Sequence, residues 1–120
     1  MPRFKTLAKA SFPRHKRGEM NKTEARFAQH LELLQRAGEV LWWKFEHIKL
    51  RLADATFYDV DFFAVNSDSE LVAYEVKGFW RDDAKVKIKV AQEIYPFKFI
   101  AVTEIKGGGW KEECFFREEV

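Results

Sequence analysis

Four charged residues sit in two short apolar runs. Tyr58-Asp59-Val60-Asp61-Phe62-Phe63-Ala64-Val65 holds two aspartates two positions apart, and Ala73-Tyr74-Glu75-Val76-Lys77-Gly78 holds a glutamate and a lysine two positions apart. Both runs are rich in aromatic and β-branched residues, so each reads as a strand. Side chains alternate along a strand, so Glu75 and Lys77 share one face and Val76 points to the other. Asp59 and Asp61 likewise share a face. Between the runs lies the polar turn Asn66-Ser67-Asp68-Ser69-Glu70. Asp61 and Glu75 each stand seven residues from Asp68, and Asp59 and Lys77 each stand nine. A hairpin symmetric about Asp68 therefore sets Asp61 opposite Glu75 and Asp59 opposite Lys77. A slip of one residue separates both pairs.

Like charges opposite each other on a sheet repel, and an acid pair in apolar surroundings is costly unless something neutralises it. A hard divalent cation does so. Mg²⁺ takes carboxylate oxygens and keeps several waters for a substrate. An ion so held acidifies water and offsets charge building on a phosphate. A neighbouring lysine orients the water and stabilises the same charge. Asp61, Glu75 and Lys77 are thus a working set for phosphodiester hydrolysis. The plainer alternative has both acids at exposed strand ends, with Lys77 as a salt-bridge partner.

The elements that position these residues follow from spacing. Asn21 suits a helix N-cap, and Glu24, three residues on, completes a capping box. Phe27, Ala28, Leu31 and Leu34 recur at helical spacing and Gly38 suits the stop, so the first helix is expected over 22–37. A long strand, with room for a bulge, is expected over 40–52, a second over 57–65 and a third over 71–79. Asp82 or Asp83 caps a second helix ending at Ile94, with Val86, Val90 and Ile94 at i, i+4, i+8. A short strand over 97–102, a flexible loop at Gly107-Gly108-Gly109 and an edge strand at 114–116 complete the chain. The expected class is α/β, in the order α-β-β-β-α-β.

At 120 residues the chain fits one domain over 21–120, preceded by an arm over 1–20. The arm carries Arg3, Lys5, Lys9, Arg14, Lys16 and Arg17 with no acid before Glu19, although the net charge is only +2. Such a basic block is either a solvated arm or a phosphate contact. The residues are 47% hydrophobic and 16% aromatic, which supports an aromatic-rich core. A single cysteine, Cys114, forms no internal disulfide. The absence of a long apolar run and of a leader-like segment gives the expectation of a cytoplasmic protein with no membrane partner.

In this setting the residues resemble the PD-(D/E)XK nuclease superfamily. The helix acid, the Tyr-x-x-Asp-Phe strand and the Glu-Val-Lys-Gly strand carry the likeness, over about residues 21–102 in order of elements. The nearest likeness is to small phage-type members and Holliday-junction resolvases, which implies a prokaryotic host cell. Val60-Asp61 stands where the family has Pro-Asp. The resemblance implies a restriction-endonuclease-like core, a mixed central sheet flanked by helices. It implies catalytic roles for Asp61, Glu75 and Lys77, with Mg²⁺ or Mn²⁺ held by Asp61, Glu75 and the backbone carbonyl of Val76. It also implies that Glu24, on the first helix, stands beside the metal. The competing role for Glu24 is a helix cap alone.

The second helix presents Lys85, Lys89 and Gln92 on or near one face, and in the family this helix often sends a Lys or Gln toward the site or the substrate phosphates. With Arg14, Lys16 and Arg17 they are the expected nucleic-acid contacts; the alternative is a solvated basic face. His30 and His47 lack metal-ligand spacing and read as structural, and His15 in the arm reads as solvated. Trp42, Trp43 and Trp80 are candidates for stacking on unpaired bases, with packing the plainer role for the first two. The leading expectation is a metal-dependent endonuclease acting on branched DNA as a homodimer, whose two-fold symmetry matches a junction. Two others stand beside it: a general, repair- or restriction-type DNase, and a nucleic-acid-binding module that no longer cuts.

Overall fold

The structure, a computed structural model, describes residues 18–77 and 82–115, with the side chains of Asp82 and Asp83 left aside. Arg14, Lys16, Arg17 and Trp80 therefore lie outside the described residues, as do Gly78 and the expected ends of the third and last strands.

Helix α1 (Lys22–Arg36) opens on the expected capping box. Asn21 Oδ1 accepts from the Glu24 N–H at 2.8 Å, and Glu24 Oε1 accepts from the Asn21 N–H at 2.9 Å. Gly38, at φ 83°, takes the left-handed conformation that ends the helix. Among the described residues, seven strands follow in two sheets. Strands β1 (Val40–Phe45), β4 (Phe62–Asn66), β5 (Leu71–Lys77), β6 (Lys98–Glu104) and β7 (Trp110–Phe115) form a mixed sheet in the order β1-β4-β5-β6-β7. Of its neighbouring pairs, β5 and β6 run parallel, joined across helix α2 (Asp82–Ile94). Strands β2 (Lys49–Ala53) and β3 (Thr56–Asp59) form a separate hairpin. The protein is thus α/β, with a mixed five-stranded sheet flanked by two helices.

The helices take opposite faces of the sheet. Phe27 and Leu31 of α1 pack with Phe62, Val72, Tyr74 and Val102. Ile88 and Ala91 of α2 pack with the alternate residues Phe63, Ala73 and Phe99. This alternation is the period-two signature of strands covered on both faces.

Several expectations are corrected. The two long strands are each broken: β1 gives way to β2 around Glu46, at φ 46°, and β3 gives way to β4 at Val60-Asp61. One bent hairpin results, bridged by Glu46 N–H to Asp61 O at 2.8 Å and Val60 N–H to Ile48 O at 3.1 Å. Asp59 therefore lies beside Lys49 across β2–β3, not opposite Lys77. On α2, Val86, Val90 and Ile94 are exposed, and Ile88 and Ala91 supply the buried face instead. The last strand begins four residues earlier than expected, at Trp110, and forms a hairpin with β6. Gly107, Gly108 and Gly109 all have positive φ, so their loop needs residues without a Cβ.

Candidate active site

The site lies at the break in the bent hairpin. The β4–β5 register pairs Phe62 with Tyr74, Phe63 with Ala73 and Val65 with Leu71. This is the register symmetric about Asp68, and it sets Asp61 one step beyond the last pair, on the row of Glu75. The turn is held by Asn66, whose Oδ1 accepts from the N–H groups of Asp68 and Glu70.

Glu75 is buried, at 9% exposure. Its Oε1 accepts from the Tyr58 hydroxyl at 2.6 Å, and its Oε2 lies 2.8 Å from Lys77 Nζ. Asp61 Oδ2 accepts from the Val76 N–H at 2.9 Å. The carboxylate thus caps a strand N–H just where the β4 ladder stops. Burial is the largest cause that raises the Asp61 pKa, to about 8. The charge of Glu75 adds to it, the Val76 hydrogen bond opposes it, Glu24 adds a smaller push, and Lys77 opposes that. Burial likewise raises Tyr58 well above the usual phenol range, helped by the neighbouring Glu75 charge.

Asp61, Glu75 and Lys77 are therefore brought together. Glu24 is the cap that its spacing implies, and its charge also reaches Asp61. An ion pair holds its helix in place: Arg26 grips Glu104 at the end of β6 through two nitrogens, at 2.6 and 2.8 Å. Val76 meets Asp61 through its N–H, which leaves the carbonyl as a separate group. The basic face of α2 divides. Lys89 is exposed, and Lys85 lies 3.9 Å from Glu113. Gln92 turns inward instead, its Nε2 donating to Glu93 and its Oε1 buried without a hydrogen-bond partner. An inward amide is not presented to a phosphate.

Sequence reasoning assigned Tyr58 no role, although its hydroxyl meets the central glutamate. The signal was its place in the Tyr-x-x-Asp run, but contact with Glu75 depends on the fold of β2–β3. Lys77 is in register with Thr103 of β6, and Thr103 with Lys111 of β7, so the row two residues along from Glu75 continues across the sheet in polar residues.

A divalent ion fits this donor set. The Asp61 anion is disfavoured by burial and then by the Glu75 charge, and Lys77 lies against Glu75; a divalent ion on the two carboxylates would add positive charge and complete its shell with water. Among the described residues no three His, Cys, Asp or Glu side chains converge on one point, so water would supply most of the ligands. No family model matches this chain, and no curated protein or solved structure does either.

Proposed function

We propose that the protein is a metal-dependent endonuclease that hydrolyses phosphodiester bonds in DNA, with branched DNA as the preferred substrate and the restriction-endonuclease-like αβββαβ core as its framework. The observation that carries the reading is the cross-strand acid pair, Asp61 and Glu75, with Lys77 salt-bridged to Glu75. Asp61 and Glu75 would hold Mg²⁺ or Mn²⁺. Such an ion supplies Lewis acidity toward a phosphoryl oxygen and acidifies water. Lys77 places a positive charge beside the scissile phosphate, and Tyr58 fixes the direction of the Glu75 carboxylate. Lys111 and Thr103 are suited to contact flanking phosphates.

One observation favours a second reading. Both Glu75 oxygens already have partners, Tyr58 and Lys77, which is also how a purely structural buried carboxylate is satisfied. The protein is then a nucleic-acid-binding module that does not cut. A cleavage assay on a four-way junction, plain duplex and single strands separates the two. The endonuclease reading expects cutting in Mg²⁺ or Mn²⁺, none in chelator, and the junction cut fastest. Equal cutting of duplex makes it a general DNase. Cutting that persists in chelator contradicts the metal, and binding without cutting in any metal establishes the second reading.

A further inference from the structure

Helix α2 carries apolar side chains on two opposite faces. Ile88 and Ala91 are buried against the sheet, whereas Val86, Val90 and Ile94 are 57%, 38% and 46% exposed. The exposed three stand four residues apart and form one stripe. At 3.6 residues per turn Val90 lies about 160° around the helix from Ile88. A helix apolar on both sides belongs between two layers. The sheet is one layer, and among the described residues nothing covers the other side.

We propose that the second layer is the same stripe on another copy of this chain, with the two α2 helices packed antiparallel about a two-fold axis at Val90. The proposal is independent of whether the chain cleaves DNA. An interface of this symmetry must be complementary to itself, and the stripe is. Val90 is its midpoint, so the rotation sets Val86 level with Ile94 of the partner subunit. A ridge of residues spaced by four is what packs into the groove of a facing helix. The charges obey the same rotation. Lys89 and Glu93 lie on one flank of the stripe, and the rotation brings Lys89 to within about 3 Å, along the helix axis, of Glu93 of the partner subunit. Two such pairs form. On the other flank the two Lys87 side chains stand about 9 Å apart along the axis, a distance at which salt screens them. A parallel pairing aligns no lysine with a glutamate. Three apolar side chains per copy fall short of the roughly 1,200 Å² of a standard interface, so the pairing is a weak, concentration-dependent one.

Sedimentation velocity of the full chain over a range of concentrations tests this. The expected result is a monomer–dimer equilibrium that Val90→Glu weakens about a hundredfold or more, because two carboxylates then meet at the axis. Lys89→Glu alone weakens it several-fold, and Lys89→Glu with Glu93→Lys restores it. Circular dichroism checks that each variant keeps its fold. A second readout is Val90→Cys in a Cys114→Ser background, which places a thiol against its own copy and should give a disulfide-linked dimer with glutathione disulfide. A monomer at every concentration overturns the proposal, as does a dimer indifferent to Val90→Glu or a Val90→Cys protein that does not cross-link. A monomer would leave the stripe to another segment of the same chain.

Discussion

At the scale of single residues, burial and then the Glu75 charge favour the neutral form of Asp61. Its ordinary carboxyl value is 3.8, and in the fold it is raised to about 8. The sign follows from linkage: the neutral form is favoured by folding, so the stability tied to it is whole below about pH 4 and lost as pH rises through about 8. Asp61→Asn keeps an acceptor for the Val76 N–H and removes the charge. In chelator at pH 8 it should therefore melt higher than wild type, by about 4 °C for each kcal/mol recovered, with the gap closing toward pH 4. Adding Mg²⁺ at pH 8 should raise the melting temperature of wild type and leave Asp61→Asn unmoved. Lower melting of Asp61→Asn with no Mg²⁺ effect on either would make Asp61 a structural cap and nothing more. Tyr58→Phe leaves one oxygen of a buried carboxylate unsatisfied, at a cost of about 1–3 kcal/mol in urea unfolding. It should also weaken Mn²⁺ binding, read by calorimetry, because Glu75 loses its direction. Unchanged unfolding and unchanged binding together would remove Tyr58 from the site.

At the scale of elements, α1, the bent hairpin and α2 differ in how openly the sequence carries them. The β4–β5 register was legible because turn chemistry is local: Asn66 holds Asp68 and Glu70 by hydrogen bonds that its neighbours dictate. The capping box of α1 was legible for the same reason. The break at Val60-Asp61 was not. Alternation runs through it unbroken, and the bend depends on β2–β3 folding back so that Leu50 and Tyr58 join the core beside α2. The bounds of α2 were legible and its face was not. Two stripes share the helical period, and the buried one uses Ile88 and small Ala91, whereas Val86, Val90 and Ile94 make the more regular apolar series. Strand β7 hid behind Lys111, Glu112 and Glu113, charges suited to an exposed edge. Glu24 belongs to this scale because it serves both helix and site. Glu24→Gln keeps an oxygen for the Asn21 N–H and removes the charge near Asp61. Its thermal stability should stay within about 0.5 kcal/mol of wild type, and its cleavage rate should fall about tenfold or more, as for a group that supports a metal ligand. Lost stability with full activity would leave Glu24 a cap alone.

At the scale of the whole molecule, the sheet gathers acids and lysines from distant parts of the chain: Asp61 and Glu75 on one row, and Lys77, Thr103 and Lys111 on the row two residues along. The basic residues Arg14, Lys16 and Arg17 precede the described part and carry a prediction of their own. Replacing all three with glutamine should weaken DNA binding and reduce the salt slope of log K by about 0.9 for each phosphate that is no longer neutralised. A slope identical to wild type would remove the arm from the DNA interface. The central claim is that the acid pair performs hydrolysis. It is tested most directly by following cleavage of an end-labelled four-way junction in Mg²⁺ by wild type and by Glu75→Ala from matched preparations. Wild type should cut, and the variant should lose about a thousandfold or more in rate, as for removal of a central catalytic group. Equal cutting by the two proteins, or none by wild type, would contradict the claim.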